Sequence, residues 1–403
     1  MADLMKSDSK QDQEPGMPYK LTEDQQMIFD AAEKFAREQL LPIAEKMDNE
    51  EYWPADLFPL LGREGYLGIT VPAEQGGGGM DEMAQGLVCE AFARYNPAVA
   101  LSVAAHDNLC LNNIIRNANE QQCNKYVPGL VNGTLVGALG LTEPGAGSDA
   151  LGGMKMTARR EGDHYILNGS KIFITNGPNA DVVLVYAKTA PDKGANGISA
   201  FIVEKDFPGF AVAQKMKKMG CRGSQTGELV FSDCKVPVEN LVGEENNGIA
   251  IVMSGLDLER AMISFMCVGM ASRGLQLAVD YARERRQFNK PIAAFQLVQG
   301  MLAEMYTKLE AARMLCYSVM SDCCDLEPGG GGRGEIHQRS AASIMFAASS
   351  CSEILDKAVQ IHGGNGYMWE MEVNRLYRAG KLFEIGAGTT EVRKIIIARE
   401  LLK

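Results

Sequence analysis

The chain has 403 residues, 46% hydrophobic and 23% charged, which suits a substantial core and either one large domain or two to three ordinary ones. A formal net charge of −11 argues against nucleic acid as the main partner, because phosphate binding needs a basic surface, although a local basic patch for a phosphorylated cofactor remains compatible. No apolar run reads as long enough to span a bilayer.

The ten cysteines include no Cys-x-x-Cys pair. Cys323 and Cys324 are adjacent and the others stand alone, which fits reduced thiols better than a zinc site, an iron–sulfur site or a disulfide framework. His106, His164, His337 and His362 do not cluster, so no metal is expected. Residues 1–20 read as a disordered polar tail. The tail lacks the apolar centre of a secretory signal, and Asp3, Asp8, Asp12 and Glu14 are unlike a mitochondrial leader. The expectation is a bacterial-type cytoplasmic protein, or a mitochondrial-matrix protein whose leader has been removed.

Residues 21–136 carry a helical pattern. Thr22 with Gln25 suggests a capped helix start, and the small apolar stretch from Pro97 to Asn117 a buried helix. The glycine run Gly76 to Gly79 reads as a flexible loop. Residues 137–246 switch to period two. Asp163–Leu167 and Lys171–Thr175 flank Asn168-Gly169, a hairpin signal, and further strands are predicted at Val182–Ala187, Gly197–Glu204 and Gly227–Phe231. Residues 247–403 return to helix, with long helices predicted at 252–286, 294–324, 337–362 and 390–402 and a mobile loop at Gly329–Gly332. The fold class is therefore mainly α with a central β domain.

One carboxylate stands out. Glu259, in Leu256-Asp257-Leu258-Glu259-Arg260, shares a helical face with Met262, Ile263, Met266 and Met270. Burial among apolar side chains would raise its pKa toward that of a general base. On spacing alone, an ion pair to Arg260 or to another helix fits slightly better.

Five further segments are each ordinary. Leu141-Thr142-Glu143-Pro144-Gly145-Ala146-Gly147-Ser148-Asp149-Ala150 offers glycines and hydroxyls to an anion. It is followed by alternating Met154 and Met156, which look like a strand, so it does not open a helix as a dinucleotide fingerprint must. Lys171 to Gly177 reads as a strand with an end turn, and Arg285 to Ile292, followed by Phe295-Gln296, as a basic helix end. Gln360 to Tyr367 reads as a glycine-capped helix end, and Phe383 to Glu391 as a glycine-rich loop before a helix.

In this order and at these spacings, the five segments resemble the acyl-CoA dehydrogenases, flavoenzymes that form the α,β double bond of acyl thioesters, from Leu21 to Lys403. The resemblance implies helical domains on either side of a β-barrel-like middle domain, with FAD in the cleft between them and a neighbouring subunit. Leu139, Leu141, Thr142, Gly147, Ser148, Phe173 and Thr175 would line the cofactor. Arg285, Gln287, Phe288, Gln296, Gln360, Gly363 and Gly364 would reach FAD across a subunit boundary, and Thr389 and Glu391 its adenosine-side phosphates. Ser148, Asp257, Leu258, Arg260, Gly386, Ala387 and Gly388 would meet the acyl-CoA.

Many members carry the catalytic glutamate where this chain has Ala387. The isovaleryl-CoA and long-chain branches carry it on the helix, at the position matching Glu259, and the segments around Glu259 and Gly386 look most like the isovaleryl branch. The resemblance then implies oxidation of isovaleryl-CoA to 3-methylcrotonyl-CoA in leucine catabolism, a homotetramer, and electron transfer flavoprotein as acceptor. A dehydrogenase of another short or branched acyl-CoA, a flavin acyl-CoA oxidase of the same fold and a helical interaction protein without catalysis are the alternatives.

Overall fold

The computed structural model describes residues 20–326 and 331–403. The predicted tail up to residue 19 and part of the predicted Gly329–Gly332 loop lie outside them.

The N-terminal region is helical because its apolar residues recur on helical faces and its starts are capped. Thr22 and Gln25 form the expected capping box on the Glu23–Phe35 helix. Asp81 caps the Glu82–Tyr95 helix, nearly all of which is buried. The small apolar stretch runs through Pro97–Ala104, a π-helical Ala105–Leu111 and Asn112–Asn117. Glycines 76–79 are not a flexible loop: the amides of Gly77, Gly78 and Gly79 donate to Pro72, Gly68 and Val71 carbonyls at 3.2, 3.0 and 2.9 Å. A Cβ on Gly77 would sit 2.3 Å from the Val71 carbonyl oxygen, so close packing requires the glycine there.

The middle region contains β1 (Gly137–Gly140), β2 (Thr157–Glu161), β3 (His164–Thr175), β4 (Val182–Lys188), β5 (Ile198–Glu204), β6 (Phe210–Lys215), β7 (Thr226–Pro237) and β8 (Leu241–Val242). They form one sheet in the order β6-β7-β3-β2-β4-β5-β8, with β1 added parallel to β4. The hairpin predicted at Asn168-Gly169 is corrected. Both flanks belong to β3 and pair with β7, and the register shifts between Leu167 and Gly169. Gly169 (φ +146°) is therefore a bulge in a continuous strand. The turn lies earlier, at Gly162 (φ +61°), between β2 and β3. Met154 and Met156 are buried but precede β2, and β6 carried too little alternation to be noticed.

The C-terminal region holds the long helices Gly248–Glu284, Gln296–Cys324 and Gly334–His362, with shorter ones at Glu372–Gly380 and Thr390–Leu401. The Gly248–Glu284 helix is long and apolar enough to cross a membrane by length and composition, which corrects the earlier reading of the apolar runs. Most of that helix is buried against its neighbours, and Ala261, Phe265, Met266 and Met270 sit in the main core. The basic segment after it is not a helix end alone. Arg286–Gln287 pairs with Lys290–Pro291 as a small hairpin whose turn residues Phe288 and Asn289 both have positive φ, 50° and 64°.

Candidate active site

The candidate site draws on the central helix, the end of the sheet and the last glycine-rich loop. Glu259 lies in the Gly248–Glu284 helix, with Met262, Met266 and Met270 of its stripe fully buried and Ile263 partly so. Its carboxylate has no hydrogen bond and no ion pair among the described residues, so the salt-bridge alternative is not realised. Arg260, its neighbour, turns instead to Asp257 at 3.2 Å. Burial pushes the Glu259 carboxyl up to about 7, against the opposing pull of Arg260 and Arg393.

The second candidate carboxylate behaves differently. Glu384 accepts from Lys381 Nζ at 2.7 Å and from Ser352 Oγ. Burial would raise its pKa, but these two donors outweigh it and hold the carboxyl below its usual range. It is a paired, ionised group.

Beyond Glu384 the backbone is unusual. Ala387 has φ +54° and Gly388 +89°. A non-glycine residue in the left-handed region is uncommon and costs on the order of 1–3 kcal/mol unless its surroundings impose it. Among the described residues the Ala387 N–H meets no acceptor. Gly386 has an ordinary negative φ, and a Cβ there would meet Leu382 only at 3.5 and 3.8 Å. Neither backbone nor neighbours require glycine at 386, so the missing side chain leaves space.

Asp257, Leu258 and Arg260 were expected at the substrate, and the structure turns them inward. Asp257 is 1% exposed. Its carboxylate accepts from His337 Nδ1 (2.7 Å), the Gly332 amide (2.6 Å), Ser340 Oγ (3.1 Å) and Arg260 Nη1 (3.2 Å). Burial would raise its pKa, but His337, the Gly332 amide and Arg260 together hold it below the usual range. Leu258 packs in the main core. As placed, these side chains are buried and brace the helix beside Glu259, with Asp257 committed to four donors of the chain.

The sheet end is assembled by a buried ion pair that sequence reasoning did not single out. Lys171 Nζ donates to Glu143 Oε1 at 2.9 Å and to the Leu141 carbonyl at 3.0 Å. Glu143 also accepts from the Lys155 and Met156 amides at 2.7 and 3.0 Å. Burial lowers Lys171 to about 8 even with Glu143 beside it. With the Ile172 amide on the Thr142 carbonyl at 2.9 Å, this clamp brings Leu141 and Thr142 beside β3. Phe173 (φ +61°) leaves 62% of its surface exposed, Thr175 is partly exposed, and Gly147 and Ser148 lie exposed on the adjoining turn.

A second group gathers at the end of the helical bundle. Tyr281 stacks on His362 at 4.3 Å and its hydroxyl accepts from Asn365 at 3.1 Å. These contacts bring the chain leading to Arg285, Gln287 and Phe288 together with Gln360, Gly363 and Gly364. Phe288 is 86% exposed, and Gln296 opens the next helix with its side chain exposed. Thr389 caps the last helix, accepting from the Val392 amide at 3.3 Å, and Glu391 is exposed in its first turn. Thr389 thus has one oxygen lone pair already engaged, and a negative Glu391 would repel a phosphate, so its expected phosphate contact does not fit its charge.

The chain matches the three family models in full succession: Acyl-CoA dehydrogenase, N-terminal domain over residues 22–134, middle domain over 138–234 and C-terminal domain over 246–402. It belongs to the acyl-CoA dehydrogenase family of flavin-dependent oxidoreductases, and its cofactor is FAD. It is 44% identical over 382 residues to a mitochondrial isovaleryl-CoA dehydrogenase of Oryza sativa subsp. japonica, covering 94% of this chain and 91% of the relative. Its fold is similar to butyryl-CoA dehydrogenase of Megasphaera elsdenii, with a TM-score of 0.91, 38% identity and coverage of 96% of this chain and 100% of the other. A chain in a structure of the electron transferring flavoprotein of Acidaminococcus fermentans is 41% identical, with a TM-score of 0.91 over 96% of this chain and 100% of the other.

The residues present suit a flavin. The sheet end offers an exposed aromatic face, partly exposed Leu139, Leu141 and Thr142, and glycines that bar nothing: a Cβ on Gly145 or Gly147 would meet no atom within 4 Å.

Proposed function

We propose that this chain removes the α and β hydrogens of a short branched acyl-CoA, with isovaleryl-CoA as the substrate and 3-methylcrotonyl-CoA as the product, as a step of leucine catabolism. The observation that carries the reading is the contrast between an unpaired Glu259 near neutrality and a paired, ionised Glu384. A Glu259 carboxylate oxygen takes the α-proton of the thioester. The Ala387 N–H, free of any acceptor among the described residues, donates to the thioester carbonyl oxygen as negative charge develops there. FAD, when bound, supplies the acceptor for the β-hydrogen as a hydride equivalent. Glu259 then holds the abstracted proton, and the acyl chain carries the new double bond.

Leu139, Leu141, Thr142, Ser148, Phe173 and Thr175 would hold the flavin end of the cofactor. Thr389 would stand near its adenosine side, where Glu391 suits a ribose hydroxyl better than a phosphate. Arg285, Gln287, Phe288, Gln296, Gln360, Gly363 and Gly364 form a separate exposed group, which suits contact with a neighbour's FAD in a closed homo-oligomer, a tetramer on this reading. Gly386 leaves room for a branch at the β carbon. Electron transfer flavoprotein is the acceptor on the same reading, supported by the similarity to the Acidaminococcus chain.

Anaerobic titration of FAD-loaded protein with a panel of acyl-CoAs, read at the flavin absorbance, tests the proposal. Stoichiometric bleaching by isovaleryl-CoA ahead of butyryl-CoA is expected. Preference for a straight chain would move the assignment to the activity named for the Megasphaera relative, and no bleaching by any acyl-CoA would end it.

A further inference from the structure

The Thr390–Leu401 helix carries a charge into the protein interior. Arg393 is 0% exposed and the largest of the fully buried side chains. Its Nη2 donates to the Gly386 carbonyl oxygen at 2.5 Å, while Nε and Nη1 have no partner. No carboxylate lies within ion-pair distance of the guanidinium among the described residues. Burying a guanidinium with unmatched donors is costly, and an apolar side chain of similar volume would fill the space at less cost. The residue therefore calls for an explanation other than packing.

Its one strong bond ends on the strained loop. Gly386 is followed directly by Ala387 and Gly388 at φ +54° and +89°, a conformation that persists only where neighbours impose it. The Arg393–Gly386 bond ties this loop to the helix that follows, together with the Thr390 hydroxyl on the Glu384 carbonyl at 3.2 Å and the Thr389 cap on the Val392 amide. We propose that Arg393 is a positioning residue for the dehydrogenation: it fixes the Gly386 carbonyl so that the Ala387 N–H faces the thioester oxygen, and it sets a buried cation behind the Glu259 carboxylate. The inference rests on the reading of Glu259 as the base and Ala387 as the oxygen's donor.

The surrounding charges agree in sign. Burial lowers Arg393 to about 10, with Cys267, Glu259 and Glu384 pulling it back up and Arg260 adding to the depression. On Glu259 the opposing cations are Arg260 and Arg393, and the Tyr186 hydroxyl on β4 also feels its charge. Asp257 already binds Arg260, so Arg393 is the nearby cation not neutralised by an ion pair. Removing it must raise the Glu259 pKa further and deplete the base form at neutral pH.

The test compares Arg393→Met and Arg393→Lys with the unsubstituted FAD-loaded protein, following anaerobic flavin reduction by isovaleryl-CoA from about pH 6 to 9. In parallel, pH-difference infrared spectroscopy follows the carboxylic C=O band, assigned to Glu259 by its loss in Glu259→Gln. For Arg393→Met, both the infrared titration and the acid limb of the rate should move to higher pH. The rate loss should be on the order of tenfold or more near the acid end and smaller at the alkaline end. Arg393→Lys keeps the charge, so its limb should stay in place while its plateau falls, because a single ammonium does not reproduce the planar donor set. A purely structural arginine would lower flavin content or Tm without moving either titration, and that result overturns the proposal. If Arg393→Met fails to hold flavin, Arg393→Lys decides: an unchanged plateau, or a plateau that falls only in proportion to flavin content or Tm, overturns the inference, and a plateau lowered per bound flavin at unchanged Tm with the limb in place supports it. Full flavin reduction in Glu259→Gln would instead overturn the base assignment, whatever the Arg393 variants do.

Discussion

Asp257 and Glu259 stand two residues apart on one helix, and their surroundings set them to opposite tasks. Asp257 receives four hydrogen bonds, from His337, Gly332, Ser340 and Arg260, and its pKa is lowered despite burial. Glu259 receives none among the described residues, and burial drives it up to about 7. The difference shows that hydrogen-bond satisfaction, more than depth, separates a carboxylate that braces a fold from one able to exchange a proton at neutral pH.

The change that breaks the comparison most severely is Glu259→Gln, which preserves shape and removes the proton acceptor. Turnover should fall about 10²–10⁴-fold with FAD still bound, checked by steady-state assay and flavin absorbance. The variant should also be more thermally stable above neutral pH. A carboxyl whose folded pKa lies above its unfolded value contributes stability at low pH that is lost as pH rises through about 7, and glutamine does not titrate.

Gly386→Tyr probes the space that the proposed function assigns to the acyl branch. Its loss on isovaleryl-CoA should exceed that on butyryl-CoA by about 10–200-fold in kcat/KM, the range set by one misplaced methyl group. Equal losses would place the branch pocket elsewhere.

Asp257→Asn sharpens the other side of the comparison. Asparagine keeps one acceptor oxygen but removes the negative charge shared by Arg260 and His337, and it sets an NH2 against a donor such as the Gly332 amide, so urea denaturation should show a cost of about 1–3 kcal/mol. The smallest effect belongs to Glu384→Gln. Its carboxylate serves Lys381 and Ser352, so flavin reduction should stay within a few-fold of the unsubstituted rate.

Much of this was legible in the sequence because periodicity and capping are local. The capping box at Thr22, the apolar stripe below Glu259 and the change of period in the middle region all survive in the structure. Asn168-Gly169 misled because the same dipeptide serves a two-residue turn and a bulge, and only the partner strand distinguishes them. Glycines 76–79 misled because close packing and flexibility both select glycine. Asp257 and Arg260 faced inward because His337 and Gly332 approach from 80 and 75 positions away, which no local pattern records. Arg393 was missed as an ordinary helical arginine. Its alignment with Ile396 and Ile397, at i+3 and i+4, was the available signal that it faces inward.

The most direct test of the central claim is the pH dependence of anaerobic flavin reduction by isovaleryl-CoA, measured by rapid mixing in the unsubstituted protein and in Glu259→Gln. The account predicts a rate that rises with pH through about 7 in the first, following ionisation of Glu259, and a residual rate without that limb in the second. A limb that persists unchanged in Glu259→Gln, and disappears in Glu384→Gln, would place the base in the final loop and contradict the account.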